Sequence, residues 1–216
     1  MIYNLSNTNS IISQYLSEMR DEKIQKDSFR FRANMERVGV LIAYEISKTL
    51  SYKKEELKTP LGIASENILS DKIVLSTILR AGLPLNKGFL NVFDKAENAF
   101  VSAFRKYHSP TDFEIKIEYI SAPSVKDKIL ILSDPMLATG ASMVMAYKAL
   151  IKKGAPKHTH IVALLASKEG LEYLKKNINN DDVTVWVAAI DDELTVQSYI
   201  VPGLGDAGDL AFGEKE

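Results

Sequence analysis

The region from residue 129 to residue 190 alternates between strand and helix patterns, and this alternation restricts the possible folds more than any other feature. Strand patterns at Ile129–Leu132, Ile161–Ala166 and Val183–Ile190 are separated by helical patterns at Met143–Lys153 and Lys168–Asn177. Strand, helix and strand in this order form right-handed crossovers between parallel strands. The first two strand patterns are apolar at every position, as expected when helices cover both faces of the sheet. The sequence therefore predicts an α/β fold with a doubly wound sheet.

The rest of the chain adds elements to this predicted core. Apolar residues recur every three or four positions from Phe31 to Leu50, which indicates an amphipathic helix. Further strand patterns occur at Ile73–Ile78, Phe100–Phe104 and Glu114–Ile120. With 216 residues, 46% of them hydrophobic and 25% charged, the chain is expected to form a single domain spanning residues 1–216.

Composition and charge exclude several classes of protein. The chain has no cysteine, which excludes disulfides, thiolate zinc sites and a cysteine nucleophile. Its 27 Lys and Arg residues nearly balance 28 Asp and Glu residues, so a net charge of -1 gives no general attraction to nucleic acid or to an anionic membrane. Residues 1–20 lack a signal-peptide pattern, and no apolar run approaches the ~20 residues of a membrane span. We expect a cytoplasmic protein without nucleic-acid or membrane partners.

A phosphate-binding loop is predicted directly after the strand pattern at Ile129–Leu132. It reads Asp134-Pro-Met-Leu-Ala-Thr-Gly-Ala-Ser142 and leads into a helix. Ligands collect beyond the carboxyl ends of strands in open α/β sheets, and the N–H groups of a helix N-terminus attract anions. Thr139 and Ser142 add hydroxyl donors, and Gly140 permits close approach of a ligand. A nucleoside triphosphatase loop is excluded because this loop has no lysine, whereas an ordinary turn with a Thr cap remains an alternative.

The C-terminal segment is dense in glycine and carries two carboxylates, Asp206 and Asp209. Gly203, Gly205 and Gly208 formally match the dinucleotide fingerprint G-x-G-x-x-G. That fingerprint needs a following helix and strand, and only eight residues follow Gly208, so a dinucleotide site is excluded. Rigid backbone of this kind suits the polar edge of a flat ligand. A simple cluster of C-terminal turns remains the alternative.

Two arginines and two histidines are further candidates for a site. Arg80 and Arg105 each follow an apolar strand pattern, where they are suited to bind a pyrophosphate bidentately. A surface salt bridge is the simpler interpretation of either arginine alone. His158 and His160 lie two apart, but no Cys or third His completes a metal site, so we predict that both are exposed to solvent.

Taken together, these segments resemble the uracil phosphoribosyltransferase family, from Phe29 almost to the end of the chain. The resemblance implies a type I phosphoribosyltransferase fold, with a parallel twisted sheet, helices on both faces, a small hood and a β-arm. It also implies an N-terminal helical segment of about residues 1–58, a core of about 70–190 and a uracil-binding hood of about 191–216. The matching motifs are Ala43-Tyr-Glu45, Thr59-Pro-Leu-Gly62, Ile78-Leu-Arg-Ala-Gly-Leu83, Asp134-Pro-Met-Leu-Ala-Thr-Gly140 and Tyr199–Gly208, of which the last two are highly specific.

The resemblance also implies which residues bind substrate. The loop after residue 133 is expected to bind the 5-phosphate and ribose hydroxyls of phosphoribosyl pyrophosphate (PRPP), and Arg80 and Arg105 its pyrophosphate. Asp206 is expected to reach both PRPP and uracil, and Arg80 and Asp206 are the expected catalytic residues. The loop residues are Asp134, Pro135, Met136, Leu137, Ala138, Thr139, Gly140, Ala141 and Ser142, and the expected uracil-binding residues are Ile200, Gly205, Asp206 and Ala207.

The implied reaction is displacement of pyrophosphate from PRPP by uracil N1, giving UMP through a transition state with oxocarbenium character. Mg²⁺ is expected on the pyrophosphate of PRPP rather than in an all-protein metal site. A homodimer or higher homo-oligomer is expected, and GTP is a candidate effector because some members of the family respond to it. The alternative to an enzyme is a regulator on the same fold that senses PRPP or uracil nucleotides.

The sequence departs from the family pattern at three places. The segment Ser102–Tyr119 keeps Arg105 but lacks the acid-rich spacing that is customary in the family. Ala141 stands where the loop usually has a second glycine, and Pro84–Asn86 replace the usual stretch after the Arg80 loop. A Cβ at Ala141 narrows the conformations that the loop can adopt. We expect these changes to affect PRPP affinity and allosteric control more than the type of reaction.

Overall fold

The computed structural model describes residues 1–107, 113–178 and 181–214 of the chain. Within these residues the chain forms six α-helices and two short 3₁₀ helices, the latter at Leu5–Asn7 and Ile24–Lys26. None of the described helices is long and apolar enough to cross a membrane. The α-helices are α1 (Ile11–Arg20), α2 (Ser28–Ser47), α3 (Leu83–Val92), α4 (Ala141–Ile151), α5 (Lys168–Asn177) and α6 (Ala207–Phe212).

Twelve strands alternate with these helices in the described part of the chain. They are β1 (Ile2–Asn4), β2 (Tyr52–Thr59), β3 (Gly62–Leu69), β4 (Ile73–Leu79), β5 (Glu97–Tyr107), β6 (Phe113–Ser121), β7 (Ile129–Ser133), β8 (Met136–Leu137), β9 (His158–Ser167), β10 (Val183–Asp191), β11 (Glu193–Leu194) and β12 (Ile200–Val201). All six predicted strands and all three predicted helices are present, with ends shifted by a few residues.

One sheet organises the molecule. Its strands follow the order β1-β10-β9-β7-β4-β5-β6, and β8 joins it beside β9. Every neighbouring pair is parallel except β5 and β6, which are antiparallel. The predicted parallel, doubly wound sheet is therefore confirmed, and β1 and β6 extend it at its two edges.

Helices cover both faces of the sheet. The first core lies under α1, α2 and α3, and the second lies under α4 and α5. Side chains of β7 alternate between them: Ile129 and Ile131 belong to the first core, and Leu130 and Leu132 to the second. Because both faces are buried, an apolar residue stabilises the protein at every position of this strand, which explains its unbroken apolar pattern.

A separate antiparallel hairpin, β2 and β3, corresponds to the expected β-arm. It is in register from Tyr52 opposite Leu69 to Thr59 opposite Gly62. The helices that precede it end at Ser47, so the helical segment stops before residue 58. Residues of β2 obtain their backbone hydrogen bonds from β3, and the proline after Thr59 disfavours a helical conformation there.

Helix α3 was not predicted from the sequence. It contains Pro84 in its first turn and Gly88 in its middle, and both residues weaken a helical pattern. Gly88 packs directly against Gly39 of α2, since a Cβ at Gly88 would lie 2.9 Å from Gly39 Cα and 2.2 Å from the Glu36 carbonyl oxygen. Close contact between α2 and α3 therefore requires glycine at position 88, although this glycine weakens the helical pattern from which α3 could have been predicted.

The prediction that His158 and His160 are exposed is wrong. His160 is buried, and its Nδ1 accepts a hydrogen bond of 3.1 Å from Trp186 Nε1. Burial lowers the pKa of His160 to about 3, so the ring is neutral. His158 is half-buried, with Nε2 2.9 Å from Thr184 Oγ1. Strand β9 lies inside the sheet, so even its polar side chains are covered by neighbouring strands and helices.

Candidate active site

A cavity of about 160 Å³ lies beyond the carboxyl ends of β4 and β7. One wall is the loop between β7 and α4, and the other is the C-terminal segment around α6. The lining residues are Ala81, Asp134, Met136, Leu137, Ala138, Thr139, Gly140, Ser142, Met143, Ser198, Tyr199, Ile200, Gly205, Asp206, Ala207 and Gly208. The two motifs singled out in the sequence therefore meet across one cavity.

The loop from Asp134 to Ser142 is fixed to β9 by its backbone. The carbonyl oxygen of Pro135 accepts hydrogen bonds from the N–H groups of Leu164 and Leu165, at 3.1 and 3.0 Å. The next two residues form β8, which pairs with β9. The sheet itself thus holds the start of the loop.

The end of the loop is shaped by Gly140 and by close packing against α5. Gly140 has φ = 78°, a left-handed conformation that favours glycine, and a Cβ there would lie 2.8 Å from the Gly170 carbonyl oxygen. Ser167 Oγ donates to the Ala138 carbonyl oxygen at 2.5 Å. The backbone then enters α4, and the hydroxyls of Thr139 and Ser142 line the cavity. This arrangement presents N–H and hydroxyl donors to an anion.

The cavity contains two carboxylates, and the negative charge of Asp206 affects the pKa of Asp134. Burial of the Asp134 carboxyl raises its pKa to about 7, against a hydrogen bond from the Met136 N–H that lowers it, and the negative charge of Asp206 raises it further. Within the described residues, neither carboxylate forms an ion pair with a cationic side chain. The cavity therefore suits a ligand that brings hydroxyl donors or a cation to these oxygens.

The C-terminal wall is held by a network that starts at the other end of the chain. Arg20 Nη1 and Nη2 each donate to the Asp191 carboxylate at 2.7 Å, and Nη1 also donates to the Gly203 carbonyl oxygen at 2.9 Å. The Gly203 N–H donates back to Asp191 at 2.9 Å. Burial opposes ionisation of Asp191, but these hydrogen bonds outweigh it and lower its pKa. A partly buried ion pair thus fixes the turn after the cis peptide bond between Val201 and Pro202.

Asp206 organises the backbone between this turn and α6. It is the N-cap of α6, and its Oδ1 accepts hydrogen bonds from the N–H groups of Gly208 and Asp209, at 2.8 and 3.0 Å. Leu210 N–H donates to the Asp206 carbonyl oxygen. Of the first four N–H groups of α6, only that of Ala207 has no hydrogen-bond partner among the described residues. This N–H is free to donate to a ligand in the cavity.

The two candidate arginines differ in position. Arg80 follows β4 and lies at the rim of the cavity, where the next residue, Ala81, lines the wall. Its Nη2 donates to the Gly213 carbonyl oxygen at 2.9 Å. Arg105 lies in β5, in register with Ile115, and its side chain falls outside the described part of the structure.

Most of the candidate residues are brought together. All four predicted uracil-binding residues line the cavity, as do the loop residues except Pro135 and Ala141. The cavity also has lining residues that were not predicted as site residues: Ala81, Met143, Ser198, Tyr199 and Gly208. Met143 is in the first turn of α4, and a helix beginning at the site was the one signal available for it. In the described residues, no group of three or more His, Asp or Glu side chains is arranged to hold a metal ion.

Comparison with known proteins agrees with this geometry. Residues 6–214 match the family model described as "Uracil phosphoribosyltransferase". A Porphyromonas gingivalis protein named uracil phosphoribosyltransferase is 54% identical over 214 residues, covering 99% of both chains. A Pyrococcus furiosus protein of the same name is 39% identical over 206 residues, which cover 94% of this chain and 86% of that protein.

Solved structures support the same fold. The AQ2163 protein from Aquifex aeolicus matches with a TM-score of 0.88 at 30% identity, covering 99% of this chain and 98% of the other. A hypoxanthine phosphoribosyltransferase from Staphylococcus aureus has a TM-score of 0.51 at 14% identity and covers 74% of each chain, which shows the fold alone. Together with the sheet order, these matches confirm the predicted type I phosphoribosyltransferase fold.

Proposed function

Since this chain belongs to the uracil phosphoribosyltransferase family, we propose that it transfers the 5-phosphoribosyl group of PRPP to N1 of uracil, giving UMP and pyrophosphate. The single observation that carries the proposal is the shared cavity, whose walls are an anion-binding loop and a segment with backbone groups suited to a flat base. Such a reaction belongs to pyrimidine salvage, and the enzyme is a pentosyltransferase.

The loop wall is suited to the phosphate and ribose of PRPP. The hydroxyls of Thr139 and Ser142 and the N-terminus of the 11-residue helix α4 offer donors to the 5-phosphate. Asp134 would accept hydrogen bonds from the ribose hydroxyls, which stabilise its ionised form and lower its pKa from about 7. PRPP would therefore supply hydrogen-bond partners both for the donors of the loop and for the Asp134 carboxylate.

The C-terminal wall is suited to uracil. The free N–H of Ala207 can donate to a pyrimidine carbonyl oxygen, and backbone groups at Ile200 and Gly205 lie on the same wall. Gly205 has φ = 92°, which a residue with a Cβ adopts only with strain. Fixed backbone donors and acceptors reject a base whose edge leaves them unpaired, which favours uracil over cytosine.

The carboxylates of the cavity also fit Mg²⁺ that arrives with PRPP. Mg²⁺ in phosphate-transfer sites takes one or two carboxylates and completes its coordination with substrate phosphates and waters. Asp134 and Asp206 both line the cavity without a cationic partner among the described residues. Since Asp134 is assigned to the ribose hydroxyls, Asp206 is the carboxylate that would reach Mg²⁺. When bound, Mg²⁺ neutralises negative charge on the leaving pyrophosphate.

The protein groups act mainly through position and charge. The loop and the C-terminal wall would hold uracil N1 and the anomeric carbon of PRPP in one cavity, which would lower the entropic part of the barrier. Arg80 at the rim is placed to stabilise the charge that develops on the departing pyrophosphate. In this proposal, the negative charge of Asp206 would stabilise the positive charge that develops on the ribose.

The regulator that senses PRPP or uracil nucleotides is not favoured, because the close relatives are named as enzymes.

We also propose a homodimer or higher homo-oligomer. Leu61 and Ile63 are 99% and 75% exposed on the β2–β3 hairpin, and a second copy of the chain would cover them. Light scattering tests this, with a mass at a multiple of the monomer expected. Activation by GTP remains a prediction from the family resemblance, tested by UMP formation with and without GTP.

The proposal is tested by measuring UMP formation from PRPP and uracil with Mg²⁺, for the wild type and Asp206→Asn. Asparagine caps helices as well as aspartate does, so the variant keeps α6 and loses only the charge. We expect wild-type turnover and a loss of about 100-fold or more in the variant. Asp27→Asn, which changes the N-cap of α2 in the same way, is the matched control and should keep full activity. Absence of UMP with the wild type would refute the proposed function.

A further inference from the structure

The side chain of Arg80 is held from the far end of the chain. Its Nη2 donates to the carbonyl oxygen of Gly213, 133 residues away, at 2.9 Å. The same nitrogen lies 3.5 Å from Oδ1 of Asp209. The C-terminal segment therefore reaches across the rim of the cavity to the loop that follows β4.

The position of Asp209 is set by the cap of α6. Asp206 Oδ1 holds the N–H groups of Gly208 and Asp209, which fixes the turn that carries the Asp209 side chain. Gly208 lies against the Arg80 loop, since a Cβ added to it would be 3.8 Å from Ala81 Cβ. One short turn thus joins the C-terminal wall of the cavity to Arg80 at the rim.

The contact between Arg80 and Asp209 differs from an ordinary structural ion pair. In the Arg20–Asp191 pair, both carboxylate oxygens accept hydrogen bonds at 2.7 Å. In contrast, Arg80 Nε and Asp209 Oδ1 are buried atoms without a hydrogen-bond partner in the described structure. A buried polar atom left unpaired costs about 1–3 kcal/mol, so this contact holds the two side chains at a cost in stability.

The guanidinium also retains most of its capacity to donate. Arginine has five N–H donors, and the described hydrogen bonds of Arg80 use Nη2 alone. A pyrophosphate oxygen can therefore bind the remaining donors without displacing Asp209. The carboxylate restricts the orientation of the side chain and leaves its binding edge open.

We propose that Asp209 is a positioning residue that holds Arg80 ready to bind the pyrophosphate group of PRPP, an inference that rests on the proposed function. Asp209 does not touch substrate. It reduces the rotational freedom that Arg80 loses on binding, and it links that arginine to the turn that Asp206 organises.

Asp209→Asn tests this inference, because it removes the charge and keeps the shape of the side chain. We expect the KM for PRPP to rise about tenfold, with the KM for uracil within about twofold and kcat within about threefold of the wild type. Asp209→Glu should restore part of the PRPP affinity. Asp192→Asn, which breaks the exposed ion pair with Lys168, is the matched control and should leave both KM values unchanged.

Calorimetric titration of PRPP with Mg²⁺ into each variant gives a second readout that does not require turnover. An unchanged or tighter PRPP affinity in Asp209→Asn would overturn the inference, and a tighter one would mean that Asp209 competes with substrate. Equal losses for both substrates together with a lower Tm would show a structural role and overturn it as well. If the wild type binds PRPP but makes no UMP, the proposed function fails, and the titration still decides the role of Asp209.

Discussion

The two walls of the cavity are held in place by different means. The loop wall is fixed by the neighbouring strand β9: the Pro135 carbonyl oxygen accepts hydrogen bonds from backbone N–H groups of β9, and the Ala138 carbonyl oxygen accepts one from the side chain of Ser167, 29 residues away. The C-terminal wall is fixed by side chains from distant segments, since Arg20 binds the Gly203 carbonyl oxygen over 183 residues and Arg32 binds that of Ala211 over 179. The loop wall is thus held by the sheet, whereas the C-terminal wall depends on contacts between segments that are distant in sequence.

This contrast predicts that the loop wall is sensitive to changes within the loop itself. Gly140→Ala places a Cβ 2.8 Å from the Gly170 carbonyl oxygen and requires φ = 78° from a residue that rarely adopts it. The left-handed conformation alone costs about 1–2 kcal/mol. Because the loop must shift, we expect kcat/KM for PRPP to fall about 100-fold or more in a steady-state assay of UMP formation.

Gly62→Ala is the matched control for this substitution. Gly62 lies in the hairpin, no atom lies within 4 Å of the added Cβ, and its φ is not in the left-handed range. Activity should stay at the wild-type level. Equal activity of Gly140→Ala and Gly62→Ala would contradict the claim that activity depends on the fixed conformation of the loop between β7 and α4.

The C-terminal wall should instead be sensitive to a residue far from the substrate. Arg20→Met leaves the Asp191 carboxylate, which is 7% exposed, without its partner. Breaking a fully buried pair costs about 3–5 kcal/mol, and because Arg20 is partly exposed we expect about 2 kcal/mol, measured by urea unfolding. The turn at Gly203 loosens, so the KM for uracil should rise about tenfold while PRPP affinity stays near that of the wild type.

Arg30→Met provides the comparison, because it breaks a more exposed pair with Glu18 on the N-terminal helices. We expect a cost below about 1 kcal/mol and no change in the KM for uracil. If Arg20→Met weakened PRPP and uracil binding equally, the two walls would not be held independently.

The pH dependence of stability gives a third contrast. Asp134 has a pKa of about 7 in the fold and 3.8 in its ordinary state, so between pH 4 and pH 7 the folded protein holds a proton that the unfolded chain has released. Stability of the ligand-free protein therefore falls as pH rises through this range. Asp134→Asn removes this dependence, and at pH 8 it should stabilise the ligand-free protein by about 2 kcal/mol while abolishing PRPP binding.

Urea unfolding of both proteins at pH 5 and pH 8 measures this effect. Asp191 has the opposite effect on stability, because its pKa in the fold is lowered. It stabilises the fold above its ordinary pKa, and this stabilisation is lost as the pH falls through the lowered pKa of the folded state. A variant that gained no stability at pH 8 would mean that the Asp134 carboxyl is not destabilised by burial.

The smallest expected effect concerns Ala141, the first residue of α4. Ala141→Gly restores the glycine that the family usually has at this position. Glycine costs up to about 1 kcal/mol in a helix, so Tm should fall slightly. The backbone of the loop is already fixed by β8 and α5, so we expect the KM for PRPP to change less than about threefold. A larger change would show that Ala141 itself controls PRPP affinity.

The same contrast explains what the sequence could predict. The sheet, α4 and the phosphate loop can be predicted from short stretches of sequence. Burial on both faces of β7 requires a run of consecutive apolar residues, and the loop is marked by the glycine at residue 140. The residues of the base pocket were identified from a family motif. Their anchors, Arg20 and Asp191, are 171 positions apart, and no local pattern relates them.

Two further differences have physical causes. Helix α3 was missed because Gly88, which its packing against α2 requires, is unfavourable in an isolated helix. The exposure of His160 was predicted from the lack of further metal ligands, which does not consider its position on a central strand. There, Trp186 supplies the hydrogen bond that makes burial tolerable.

The most direct test of the central claim is a competition among bases for limiting PRPP. Wild-type protein with Mg²⁺ receives uracil, cytosine, hypoxanthine and guanine at equal concentrations, and the nucleotides formed are identified by mass spectrometry. A base wall built from the backbone of the C-terminal segment predicts UMP as the dominant product. Predominance of a purine nucleotide or of CMP, or no nucleotide at all, would contradict it.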